Sequence, residues 1–157
     1  MTESGFASFF HERFSRTVVL LIALGASRAD AEDATQEAMI RAWQKWDSID
    51  SPRAWVWTVA YRAYLRRARA RDHHAESLDE SACEPAAEPD LGTSDGEQQV
   101  LRMLRALPPG QRVIAACFYD GLTCEEIAEM VGKPPATVRS QLRHARRALK
   151  EMIDPGG

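Results

Sequence analysis

Nowhere does an apolar run in this chain approach the roughly 18 residues that cross a bilayer. The longest, residues 17–26, falls inside a helical pattern. The opening residues, Met1-Thr2-Glu3-Ser4, lack the basic start of a secretory signal. A cytoplasmic protein without membrane insertion is expected. Cysteine is scarce: Cys83, Cys117 and Cys124 are odd in number, and their spacings match no zinc motif. Cys83 with His73 and His74 lacks the close ligand pairing usual at zinc, so no metal is expected. Cys117 is expected to pack as a small hydrophobe. There is no glycine-rich phosphate loop, no pattern of paired carboxylates, and no triad context for the Ser and His residues. These absences argue against an enzyme, and no cofactor is expected. Strand alternation longer than four residues, hairpin dipeptides and repeats at a fixed period are missing too. The expected fold class is all-α.

Charge of one sign is also missing, but locally. The net charge of −3 averages unlike segments. Residues 1–70 carry net +2, residues 71–97 net −8, and residues 98–157 net +3. A mildly acidic whole therefore hides two basic blocks, and the average does not exclude a nucleic-acid partner. The acidic middle holds Pro85, Pro89, Gly92 and Gly96 and almost no large apolar side chains. Such a segment buries too little surface to offset its ordering entropy. The expected organisation is two small helical domains, 1–71 and 98–152, joined by a flexible acidic linker, 72–97, with a short tail at 153–157.

Helical periodicity fills both blocks. Phe6, Phe9, Phe10, Phe14, Val18, Leu21 and Ile22 recur at steps of three and four, one face of a helix over residues 5–26. A second helix is expected to start at Asp30 as N-cap and run to about Trp46. Ala34, Ala38, Ile40 or Ala42, and Trp46 would face inward, and Glu32, Asp33, Gln36, Glu37, Arg41 and Gln44 outward. After a loop at residues 47–51, Pro52 begins a third helix to about Arg71, since a proline at the first position loses little. Trp55 is expected in its core, whereas for Trp57 a core role and a surface role both stay open. The second block predicts four short helices: residues 97–107, 111–119, 123–131 and 135 to beyond 149. Thr123 followed by Glu126 has the spacing of a capping box.

The last two helices have helix-turn-helix proportions, joined by a turn at Gly132. Val138, Leu142, Ala145 and Leu149 form the apolar stripe of the final helix. Arg139, Ser140, Arg143, His144, Arg146, Arg147 and Lys150 lie off it. No acid occurs between Pro135 and Lys150. A solvated helix usually mixes signs at i and i+4. Five cations without a carboxylate favour phosphate and base-edge contacts in a DNA groove.

Beyond periodicity, Asp30-Ala31-Glu32-Asp33-Ala34-Thr35-Gln36-Glu37-Ala38-Met39-Ile40-Arg41-Ala42-Trp43 closely resembles region 2.2 of bacterial extracytoplasmic-function (ECF) sigma factors, of the sigma-70 family. Pro52-Arg53-Ala54-Trp55-Val56-Trp57-Thr58-Val59-Ala60 is similar to the start of that family's next helix. Leu107-Pro108, Arg112-Val113-Ile114, Gly121-Leu122-Thr123, Glu126-Ile127-Ala128 and Thr137-Val138-Arg139-Ser140 resemble its region 4. The resemblance covers roughly residues 6–70 and 98–150, in the family's order.

It implies a sigma factor that binds core RNA polymerase, at its clamp and flap, and directs promoter recognition and transcription initiation. The resemblance assigns polymerase binding to Asp30, Glu32, Asp33, Gln36, Glu37 and Arg41. An acidic, hydrogen-bonding face would repel phosphates and suits a basic protein surface, though a merely solvated helix face would have the same composition. By the same resemblance the −10 element meets Asp47, Ser48, Ile49, Asp50, Arg53, Trp57, Tyr61, Arg62 and Arg66, where a flipped base needs a polar-edged pocket with an apolar wall. The −35 element meets Arg112, Pro135, Thr137, Arg139, Ser140, Arg143, His144, Arg146 and Arg147. Arg143 is the first candidate for a bidentate guanine contact, and Arg112, Arg146 and Arg147 for phosphate clamps. An anti-sigma factor is a further implied partner, and the acidic linker is implied to thread a polymerase path built for polyanions. Two departures stand out: Gln141 replaces a usual basic residue, and Pro134-Pro135 replaces a frequent Ser cap.

Two rival readings remain. One is a stand-alone helix-turn-helix regulator whose first block dimerises or senses; the 30–43 motif speaks against it. The other is a degenerate sigma-like subunit that needs a partner to open promoters.

Overall fold

The structure, a computed structural model, describes residues 3–75 and 94–154. Seven α-helices and no strand occur among them. They are α1 (Glu3–Ala23), α2 (Arg28–Gln44), α3 (Pro52–Ala75), α4 (Asp95–Ala106), α5 (Pro109–Tyr119), α6 (Cys124–Val131) and α7 (Pro135–Ile153), with a single 3-10 turn at Trp46–Ser48. The chain divides into two compact units, the first built on α1 to α3 and the second on α4 to α7. Most of the expected acidic linker, and Cys83 with it, lies outside the described residues. Its ends are corrected: α3 continues to Ala75 and α4 already begins at Asp95, with Ser94 Oγ accepting from Glu97 N–H.

In the first unit α2 and α3 make the most extensive helix contact. Ala31, Ala34, Ala38 and Ala42 of α2 are fully buried, as are Ala60 and Ala63 of α3. Small side chains at steps of three and four allow two helix backbones to approach closely. Bulk comes from Met39, Val56 and Trp57, and from Leu20 and Leu21 of α1. The N-terminus of α2 is capped by Ser27, whose Oγ accepts from Asp30 N–H, and not by Asp30 as the sequence suggested. Asp30 instead sits inside the first turn, where its charge suits the helix dipole. Phe6 and Phe9 of α1 pack on Trp46 with ring centroids 5.4 and 5.2 Å apart, and Phe6 also meets Trp43 at 5.2 Å. This aromatic cluster pins the 3-10 turn that leads into α3.

The second unit packs α5 and α6 against α7. Its core is Leu101, Leu104, Leu107, Val113, Ile114, Leu122, Ile127, Val138, Leu142 and Ala145. The apolar stripe expected on the last helix is buried through Ala145, and Leu149 is half-buried. Thr123 and Glu126 form the reciprocal capping box: Thr123 Oγ1 accepts from Glu126 N–H, and Glu126 Oε1 accepts from Thr123 N–H. Gly132 ends α6 at φ 71°, a left-handed conformation that a side chain would strain. Its N–H and that of Lys133 both donate to Ala128 O, turning the chain sharply toward α7. Pro108-Pro109 and Pro134-Pro135 open α5 and α7 without any side-chain cap. The fixed φ of proline presets the first turn instead.

Removing the Thr123 hydroxyl leaves the Glu126 N–H, in the first turn of α6, without its acceptor. Thr123→Ala is expected to destabilise the protein by about 1 kcal/mol in urea unfolding followed by circular dichroism, while Thr123→Ser should stay close to the parent.

Candidate nucleic-acid interface

Three surfaces emerge from this framework. The first is the outer face of α2. Glu32, Asp33, Gln36 and Arg41 are exposed there. Ile40 and Trp43 are exposed beside them, at 52% and 47%. The periodicity left Ile40 and Ala42 as alternatives for the core; Ala42 fills it and Ile40 faces solvent. The face is therefore acidic and hydrogen-bonding at its N-terminal end and apolar at its C-terminal end. Two of its expected members are turned away. Asp30 is buried, and its Oδ2 lies 2.6 Å from an Arg71 Nη. Glu37 is half-buried and pairs with Arg66, with Arg67 at 3.7 Å and with Arg41 at 3.7 Å. Both carboxylates tie α2 to the arginine-rich end of α3. Ion pairs with a solvent-exposed arginine end are worth about 0.2–1 kcal/mol each. Their effect is on orientation: one carboxylate holds three guanidinium groups in place.

The second surface is the loop after α2 with the outer side of α3. Asp47, Ser48 and Asp50 are exposed, and Ser48 Oγ donates to Lys45 O at 2.8 Å. Ile49 and Trp57 were expected to meet the −10 strand. Both are buried, at 7% and 1%, because one anchors the loop and the other fills the core beneath α2. Neither can stack on a base without unpacking the unit. Trp55, expected in the core, is instead half-exposed. It falls on the same side of α3 as Arg62 and Arg66, at steps of seven and four. Arg53, Arg62 and Arg66 are exposed, and Tyr61 is half-exposed. Two residues apart lie on nearly opposite sides of a helix, so burying Trp57, whose role the sequence left open, turns Trp55 outward.

The third surface is α7. Arg139, Arg143, His144, Arg146 and Arg147 are exposed, with Ser140 and Thr137 half-exposed and Pro135 at the helix start. Arg139 lies 3.7 Å from Glu125 of α6, and the Arg146 guanidinium sits over the Phe118 ring, 4.7 Å from its centroid. Gln141 is not part of this surface. Its Oε1 is buried near Gly110, where an added Cβ would lie 3.8 Å away. Arg112 is a second correction. Its guanidinium donates to Leu104 O, Arg105 O and Leu107 O at 2.9–3.2 Å. It closes the exposed carbonyls at the end of α4 and is not available as a phosphate clamp.

Cys117 lies fully buried near Met130, its Sγ 3.9 Å from Met130 Sδ. Burial, and secondarily the nearby Asp120 carboxylate, push its thiol far above the ordinary range, so it packs as a protonated, apolar group. Among the described residues no group of three His, Cys, Asp or Glu side chains could hold a metal, and no helix is long and apolar enough to cross a membrane.

The reassignment of Arg112 has a measurable consequence. Arg112→Ala should lower stability by about 1–3 kcal/mol, through carbonyls left without a donor, and leave the salt dependence of DNA binding unchanged. A drop in the salt slope at unchanged stability would contradict it.

Comparison with known proteins matches this geometry at both ends. The family model described as sigma-70 region 2 matches residues 11–74, and that described as sigma-70, region 4 matches residues 97–149. The ECF RNA polymerase sigma factor RpoE of Cereibacter sphaeroides is 30% identical over 158 residues, spanning 95% of this chain and 86% of that protein. SigK of Mycobacterium tuberculosis, also an ECF RNA polymerase sigma factor, is 28% identical over 163 residues, spanning 97% and 87%. The fold is that of the sigma factor RpoE from Bartonella quintana, solved in complex with the anti-sigma factor NepR: TM-score 0.76, 24% identity, 98% of this chain and 99% of that one. CnrH, solved in complex with the cytosolic domain of CnrY, aligns at TM-score 0.59 with 18% identity, covering 99% and 92%. The chain belongs to the ECF sigma factors of the sigma-70 family, which direct RNA polymerase in transcription initiation.

Proposed function

We propose that this sigma factor divides its work among the three surfaces. The outer face of α2 docks on the clamp of core polymerase. Glu32, Asp33, Gln36 and Arg41 supply polar contacts, and Ile40 and Trp43 add apolar ones. Desolvated aromatic and aliphatic anchors beside polar groups are the usual makeup of a protein interface. The loop residues Asp47, Ser48 and Asp50 provide polar edges for a flipped −10 base. Trp55, Arg53, Tyr61, Arg62 and Arg66 follow the strand, an aromatic and basic lining of the type that holds single-stranded DNA. In the second unit α7 enters the −35 major groove. Arg143 reads guanine, Arg139, Ser140 and His144 contribute base or backbone contacts, and Arg146 and Arg147 hold phosphates.

One observation carries this reading above the others: the exposed arc of α7 presents five cations with no carboxylate on the same helix from Pro135 to Lys150. The protein works in the cytoplasm, where polymerase is, and is held inactive by an anti-sigma factor. That regulation is supported by a structural neighbour solved with such a partner, RpoE with the anti-sigma factor NepR.

Run-off transcription with start-site mapping tests the promoter assignment. Arg143→Ala should relax −35 preference, with a loss of about 1–3 kcal/mol on the best sequence. Arg147→Ala should weaken all sequences evenly and reduce the salt slope by about 0.9. Equal effects of both substitutions on every sequence would overturn the division of roles. Asp33→Arg with Gln36→Ala should abolish co-elution with core polymerase on a sizing column while the α4–α7 unit stays folded; retained co-elution would refute the α2 assignment.

A further inference from the structure

Arg139 and Arg146 both flank the apolar stripe of α7, but their surroundings differ. Arg139 shares its charge with the Glu125 carboxylate. Arg146 rests on a neutral ring, that of Phe118, at 4.7 Å. Phe118 lies in the last turn of α5 and is 39% exposed.

The roots of both side chains are fixed. Phe118 O accepts from Gly121 N–H at 3.0 Å, and Leu122 N–H closes on Cys117 O at 3.1 Å. Arg146 follows Ala145, which is fully buried. A guanidinium stacked on an aromatic face keeps its in-plane N–H donors free along its edge. The ring thus removes rotamer freedom from Arg146 without neutralising its charge, whereas a carboxylate in the same place would do both.

We infer that Phe118 is a positioning residue for promoter binding: it holds the Arg146 guanidinium ready for a phosphate beside the −35 groove. This rests on the proposed placement of α7 in that groove. Phe118 itself touches no DNA, and its contribution passes through Arg146 alone.

The test uses holoenzyme assembled from the full chain and core polymerase, with promoter fragments that carry or lack the −35 element, over a range of salt. Phe118→Ala should weaken −35-dependent binding about threefold, the scale of an exposed cation–π contact, at an unchanged salt slope. Arg146→Ala should lower the slope by about 0.9. Adding Phe118→Ala to Arg146→Ala should cost nothing more. Phe118→Tyr, which keeps an aromatic face, should bind as the parent does. Phe118→Leu keeps apolar bulk without the ring and should be as weak as Phe118→Ala. Parent-like binding by Phe118→Leu would overturn the inference, as would an equal loss from Phe118→Ala in the Arg146→Ala background. So would reduced assembly with core polymerase before DNA is added, which would make the ring a polymerase contact. Failure of the underlying −35 placement gives a different signature: the parent holoenzyme would bind fragments with and without the element equally.

Discussion

Alanine lets α2 and α3 lie close along Ala31, Ala34, Ala38, Ala42, Ala60 and Ala63, and that closeness decides where the charged side chains of the first unit can go. A seam made of methyl groups has no room for a carboxylate, so Asp30 and Glu37 are displaced to its edge. There they meet Arg71, Arg66, Arg67 and Arg41. Large side chains are displaced as well. Trp57 moves beneath the seam, and the aromatic cluster of Phe6, Phe9, Trp43 and Trp46 closes one end of it. The sides of the unit proposed to face polymerase and the melted strand are thus opposite consequences of one tight contact.

Element existence was legible in the sequence because steps of three and four leave a strong trace in both blocks. So were the Thr123–Glu126 capping box and the stripe Val138, Leu142, Ala145 and Leu149. Boundaries were less so: Ser27 caps α2, where Asp30 seemed the better acceptor, because the chain enters the helix three residues earlier than the acids suggest. The errors at the candidate sites share a cause. Arg112, Ile49, Trp57 and Glu37 were assigned to contacts by the family resemblance, and Gln141 was noted as a departure from it. Their actual positions depend on contacts from other helices or from an adjoining helix end: the carbonyls ending α4, the core under α2, the arginines of α3 and the backbone near Gly110. No single-helix pattern encodes those.

The second unit reaches its geometry by stiffness more than by caps. Two proline pairs start α5 and α7, and Gly132 turns the chain between α6 and α7 in a conformation that few other residues accept. Stiff entries fix the rotation of α7 about its axis, and rotation decides which side chains can reach a groove floor and which its walls. Gln141, its Oε1 buried, at one flank and the ring-backed Arg146 at the other mark the limits of the arc that faces outward.

Glu37 belongs at once to the helix proposed to face polymerase and to the arginines proposed to face DNA. An exchange of α2 alone for that of another sigma factor would strand Arg66 and Arg67 without their shared counter-charge. An exchange of α3 alone would leave a half-buried carboxylate with only Arg41. The smallest piece that can be transplanted, by evolution or in a chimera, is therefore the α2–α3 hairpin with its connecting loop. The two roles proposed for this unit, polymerase docking and strand holding, are consequently inherited together, as one module.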